Sequence, residues 1–280
     1  MRKSYLLYVL IGLSGFSGLT YEIVWTRQLT LLFGVSIYAV SAVIAVFLLG
    51  LAAGSYFFGR LADQRGSPLV FFGMIELSVG LYAVLFPLVM KAIEPVYLAL
   101  YDYNLSRLTI FFLRFVLTFV LLIVPTVFMG GTLPVMGKLF SGSFDRFGNA
   151  VAKLYGLNTL GGMLGATLSG FFLLRWLGVS GATRVALSCN LLVGVASLVL
   201  WRYREAQPDG PESRTRLSRD KKKKAHRDRF PFTLRRRVQV VVLLSGFCAL
   251  SYEVLWTKML TLILGNSSWA FSTVLVARQP

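Results

Sequence analysis

The segment Ser14–Gly34, SGFSGLTYEIVWTRQLTLLFG, occurs a second time at Ser245–Gly265 as SGFCALSYEVLWTKMLTLILG, with no gap between the copies. Ser, Gly, Phe, Leu, Tyr, Glu, Trp, Thr and the closing Gly recur in register. Most other pairs are conservative, among them Thr20/Ser251, Ile23/Val254 and Arg27/Lys258. Two unrelated apolar helices would not converge on a Tyr-Glu pair and a Trp-Thr pair at the same offsets. The chain is therefore read as duplicated, and its fold must carry internal symmetry.

What is duplicated is long and apolar enough to cross a bilayer, which takes roughly 20 helical residues. Such runs recur along the chain, and 56% of its residues are hydrophobic. The pattern predicts an all-α polytopic membrane protein, with helices near residues 5–33, 36–58, 69–90, 108–129, 151–174, 184–201 and 238–264. An eighth run starts at Ser267 like the second helix, but Arg278-Gln279-Pro280 replaces the apolar continuation. The expectation is seven full helices and a truncated eighth, in a chain that stops before its fold is complete. Residues 1–201 form a six-helix half, 202–237 a linker, and 238–280 the start of a second repeat. The basic and apolar N-terminus is read as a retained first helix, because its apolar run is too long for a signal peptide and its counterpart recurs internally.

The net charge of +17 is concentrated: fourteen of the 29 basic residues fall within Arg202–Arg237. A nucleic-acid surface would spread them over a soluble face. Here they read as a cytoplasmic connector held near anionic lipid, with no nucleic-acid partner. Outside the linker, Arg2, Lys3, Arg60, Arg65, Lys138, Arg146 and Lys153 fall on one side. Lys91, Arg107, Arg175 and Arg184 fall on the other. The positive-inside rule then puts the N-terminus and the linker in the cytoplasm, as in a bacterial inner membrane or a plasma membrane. After six crossings the repeated segment runs in the same direction as before, so the repeat is parallel.

Acids inside apolar helices are expensive and are functional candidates by default. Glu22 and Glu253 are the leading ones. Thr26 and Thr257, four residues on, share their face, and Trp25 and Trp256, three residues on, flank it. These six are the candidate binding site for a cation or proton between the halves. The competing reading is that each Glu locks helix packing. Arg27 and Lys258, five residues on, lie about 140° around the helix and are poor partners for the acids. Glu76 and Arg114 are further intramembrane charges, and Arg114 could pair with Glu22 or Glu76 or snorkel to the interface. Gly161, Gly165 and Ser169, at every fourth position, favour close helix packing. The sole histidine, His226, lies in the linker, and Cys189 and Cys248 lie in apolar runs. No metal site is expected.

Two resemblances rest on these residues. The six-helix half, the charged central loop and Gly59-Arg-Leu-Ala-Asp63-Gln-Arg65-Gly66 resemble the major facilitator superfamily, although Gln64, Ser67 and Pro68 depart from that loop pattern. The repeated segment, MGGTLPVM at 129–136 and LYGLNTLGGMLGATLSGFFLL at 154–174 resemble the membrane region of spermidine synthase-like proteins. In that family facilitator-like helices are fused to an aminopropyltransferase domain. The resemblance implies a membrane module of a polyamine aminopropyltransferase-related protein, with decarboxylated S-adenosylmethionine as co-substrate of the complete enzyme and a polyamine as a partner. No catalytic residue of such a domain matches this chain, so none is assigned. The alternatives are a facilitator-type transporter of a small, cationic solute and a structural scaffold. Alternating access by the chain alone is not expected unless two copies pair as a homodimer.

Overall fold

The computed structural model describes residues 2–34, 37–64, 67–101, 106–140, 144–205 and scattered positions between 236 and 259. Among the described residues six helices are long and apolar enough to cross a membrane, and the protein is an integral, multi-pass membrane protein. They are α1 (Arg2–Phe33), α2 (Ile37–Gln64), α3 (Pro68–Tyr101), α4 (Arg107–Gly137), α5 (Phe144–Leu168) and α6 (Gly178–Glu205). A π turn, Ser169–Leu173, and a short α turn, Leu174–Trp176, extend α5.

Local chemistry marks the ends. Gly34 follows α1 at φ 81°, a left-handed conformation that stops a helix at little cost to glycine. Pro68 opens α3, where its missing N–H would have had no helical partner. Ser106 caps α4 by accepting the Thr109 N–H at 3.2 Å.

Several helices run further than the sequence predicts. The second was expected to end near residue 58 but reaches Gln64, which makes residues 59–64 of the facilitator-like loop helical. The fifth starts at Phe144 rather than near 151. The third was expected to end near residue 90, but it continues through Pro87 and Pro95 to Tyr101. The fourth was expected to end near residue 129, yet it continues through Gly130-Gly131-Thr132-Leu133-Pro134 to Gly137. A proline in a membrane helix frees one carbonyl, and neighbouring helices and hydroxyls can satisfy it, so proline breaks such helices less readily than soluble ones. The sixth helix starts earlier than expected, at Gly178 rather than near 184. The first residues of the 202–237 linker continue the sixth helix to Glu205. Its residues 206–235, with most of the seventh and eighth predicted helices, lie outside the described residues.

The six helices pack mainly in three pairs, α1 with α5, α2 with α4 and α3 with α6. Without a hydrophobic driving force inside lipid, such pairs depend on close van der Waals fit. Each pair meets at glycines. A side chain at Gly161 would strike the Gly12 backbone, and one at Gly165 the Phe16 backbone. Gly130 abuts Leu51 of α2, and Gly54 abuts Val127 of α4. A Cβ on Gly73 would sit 3.0 Å from the Gly194 carbonyl.

Packing divides the interior along the helix axes. One apolar cluster holds Leu7, Leu10, Ile11, Phe58, Leu69, Phe72, Val135 and Val193. The other holds Tyr21, Trp25, Leu29, Phe33, Val43, Phe47, Val79, Phe86, Leu121 and Ala186. On α1, α3 and α6 the buried polar residues Ser14, Ser17, Glu76 and Asn190 fall between these two clusters, while Glu22 and Thr26 lie alongside the second and Ser197 lies past Val193 of the first. The middle of the bundle is therefore a polar layer between two greasy ends.

Candidate functional site

A cavity of about 470 Å³ opens in that polar layer, and all six helices contribute to its wall. From α1 come Ser14, Gly18 and Glu22, which follow one another at every fourth position along one ridge, and Ser17 from the neighbouring ridge. Glu76 enters from α3, Asn158 and Thr159 from α5, and Asn190 from α6. Apolar side chains such as Phe47, Leu51 and Val79 complete the wall. The described residues that line it include two acids and no Lys, Arg or His.

Both carboxylates are deep, at 2% exposure each. The Ser14 hydroxyl donates to Oε1 of Glu76. Asn190 Nδ2 donates to the Glu76 backbone carbonyl at 3.2 Å. Ser17 donates back to the Ser14 carbonyl at 2.9 Å, a bond that keeps its hydroxyl from solvent-like freedom. Below the cavity wall, Ser169 at the start of the π turn donates to Thr20 Oγ1 at 3.0 Å, and Thr20 donates to the Phe16 carbonyl at 2.8 Å. These bonds pin α5 to α1 beside the site. Gly161, Gly165 and Ser169 thus lie on the α1–α5 contact.

The candidate residues divide. Glu22 and Glu76 line one cavity. Trp25 does not: it stacks on Tyr21 at 5.0 Å and on Phe86 at 5.1 Å, inside the apolar cluster. Tyr21, Trp25 and Leu29 repeat every fourth residue and form the core stripe of α1. The stripe carrying Ser14, Gly18 and Glu22 lies beside it and faces the cavity. Thr26 is buried, with its hydroxyl unpartnered among the described residues, and it is not part of the cavity wall. Arg27 is exposed. Arg114 goes to neither acid among the described contacts: its Nε donates to Tyr97 OH at 3.1 Å, near the far end of α3. Trp256 is exposed, while Glu253, Thr257 and Lys258 lie outside the described residues.

Sequence reasoning missed Ser14 and Asn190. Asn190 gave a signal, since an amide in the middle of the apolar run 184–201 needs a partner. Ser14 gave a weaker one, as a hydroxyl that can bond its own helix.

A family model described as Major Facilitator Superfamily matches residues 5–277. No curated protein and no solved structure matches the chain. The match supports the facilitator-like resemblance and gives no support to a link with spermidine synthase. It covers nearly the whole chain, agrees with the six membrane-spanning helices, and establishes that the chain belongs to the major facilitator superfamily.

Proposed function

We propose that the protein is a facilitator-type transporter and that its solute is small and positively charged. The observation that carries this reading is the cavity itself, with two buried carboxylates and no basic residue in its described wall. Charge inside a low-dielectric wall selects strongly for the opposite sign. The hydroxyls of Ser17 and Thr159 and the amide of Asn158 add hydrogen-bonding capacity without charge. The repeat that starts near residue 238 carries Glu253 as the counterpart of Glu22, and pairing of two copies would supply the opposing half that completes the site.

A solute panel tests the reading. Small organic cations, neutral sugars and carboxylates are compared for their ability to raise the unfolding temperature of the purified chain. Stabilisation by cations, lost in Glu22→Gln, supports it. Stabilisation by carboxylates alone contradicts it, and no solute effect in wild type favours a structural scaffold.

The second reading, a membrane module for an aminopropyltransferase, rests on motif resemblance. Those motifs fall on packing surfaces: 154–174 lies against α1, and Gly130 and Gly131 lie against α2. Any bundle of this geometry would need similar residues there, so the resemblance supports the helices more than the enzyme. Aminopropyl transfer from decarboxylated S-adenosylmethionine to putrescine by a complex containing this chain would revive it.

A further inference from the structure

Glu76 is compensated differently from an ordinary buried acid. Among the described residues its carboxylate has a hydroxyl, Ser14, and no ion pair. Hydrogen bonding by one neutral donor does not offset the desolvation of a full charge.

Asn190 supplies the second observation. Its Nδ2 donates to the Glu76 carbonyl, and only the nitrogen of the amide can donate, so that bond fixes which way the group is turned. Oδ1 is then the atom left over. It is buried, in a residue 1% exposed, and has no hydrogen-bond partner among the described residues. Asn190, Ser14 and Glu76 line the same cavity. An acceptor held without a donor, on the same cavity wall as a carboxylate with no ion pair among the described residues, marks a place for something positive. Ser14 gives its proton to Glu76 and keeps lone pairs for a further contact.

We propose that this corner of the cavity binds one monovalent alkali cation through Glu76, Ser14 Oγ and Asn190 Oδ1. Hard cations take oxygen ligands, and these are oxygens from three different helices, α1, α3 and α6. A single carboxylate balances a single positive charge, whereas a divalent ion would leave an uncompensated one. The corner is separate from Glu22, which lies eight positions along α1 from Ser14, a rise of about 12 Å. Binding an ion here would tie α1, α3 and α6 together in the middle of the bundle. Its use as a coupling ion rests on the transport reading, but its occupancy does not, and the experiment reads occupancy.

The test is equilibrium binding of tracer sodium to the purified full chain, at neutral and at alkaline pH, with choline chloride holding ionic strength constant. Saturable binding displaced by unlabelled sodium chloride is expected. Glu76→Gln keeps an acceptor for Ser14 and removes the charge, and it should weaken binding by about ten-fold or more. Ser14→Ala should weaken it less. Monodispersity on size exclusion checks that each variant is folded. Absence of saturable binding in wild type at both pH values overturns the proposal, as does undiminished binding in folded Glu76→Gln. Sodium binding without any solute transport would leave this site standing and sink the transport reading alone.

Discussion

The Ser14 hydroxyl on α1 donates to the Glu76 carboxylate on α3, joining two helices across 62 positions of sequence. The pair sits between the two apolar clusters, where the bundle keeps its polar groups. Glu76 is only 2% exposed, so a carboxylate that loses this donor has little access to water to replace it. Ser14→Ala should therefore destabilise the bundle by about 1–2 kcal/mol, the upper range for membrane hydrogen bonds and the lower end of that for bonds to charged groups. Reversible unfolding in mixed micelles measures it. An unchanged stability would mean that the hydroxyl contributes nothing net.

Helix contact at Gly161 should be intolerant of bulk. A Cβ there meets the Gly12 backbone, which cannot move aside as a flexible side chain could. Gly161→Val should cost about 1–3 kcal/mol or more, the usual penalty of overpacking. Gly156, on the same helix, has nothing within 4 Å of a built Cβ. Gly156→Ala should be neutral or gain up to about 1 kcal/mol from helix propensity. Parallel unfolding curves of the two variants separate packing from propensity. Equal effects would contradict the α1–α5 contact.

Cavity charge can be read by thiol chemistry. With Cys189 and Cys248 replaced by Ala, Ser17→Cys places one thiol on the cavity wall. A cationic methanethiosulfonate should modify it about ten-fold faster than an anionic one of similar size, because the field of two carboxylates concentrates the cation. Adding Glu22→Gln and Glu76→Gln should collapse that ratio towards one. A ratio unaffected by the two replacements would place the acids' field elsewhere.

Arg114 and Tyr97 form a separate polar contact at the far end of the bundle, where Tyr97 also meets Phe33 edge-on at 4.9 Å. Tyr97→Phe and Arg114→Gln should each cost about 0.5–1.5 kcal/mol, with a double mutant costing less than their sum. Neither should alter the thiol-reagent ratio at position 17. A changed ratio would return Arg114 to the cavity's electrostatics.

Periodicity and length made the six membrane helices legible, and the repeat drew attention to Glu22, which lines the cavity. The ends of α3 and α4 were not legible, because proline and glycine pairs stop helices in water more readily than between packed helices in lipid. Trp25 illustrates a limit of spacing arguments. Three residues from Glu22 is close enough to share a face or to lie just off it, and only the packing of Tyr82 and Phe86 decides that Trp25 turns into the core. The Ser14–Glu76 bond and the orphaned Asn190 oxygen are tertiary facts. No local pattern brings positions 14, 76 and 190 together.

The most direct test of the account is uptake into vesicles reconstituted with the full chain at a density that lets two copies pair, using tracer amounts of small monovalent organic cations such as methylammonium and choline. The account predicts saturable uptake of at least one of them, reduced about ten-fold or more in Glu22→Gln and abolished in Glu22→Gln/Glu253→Gln. Wild-type uptake rates in the folded double variant would contradict it.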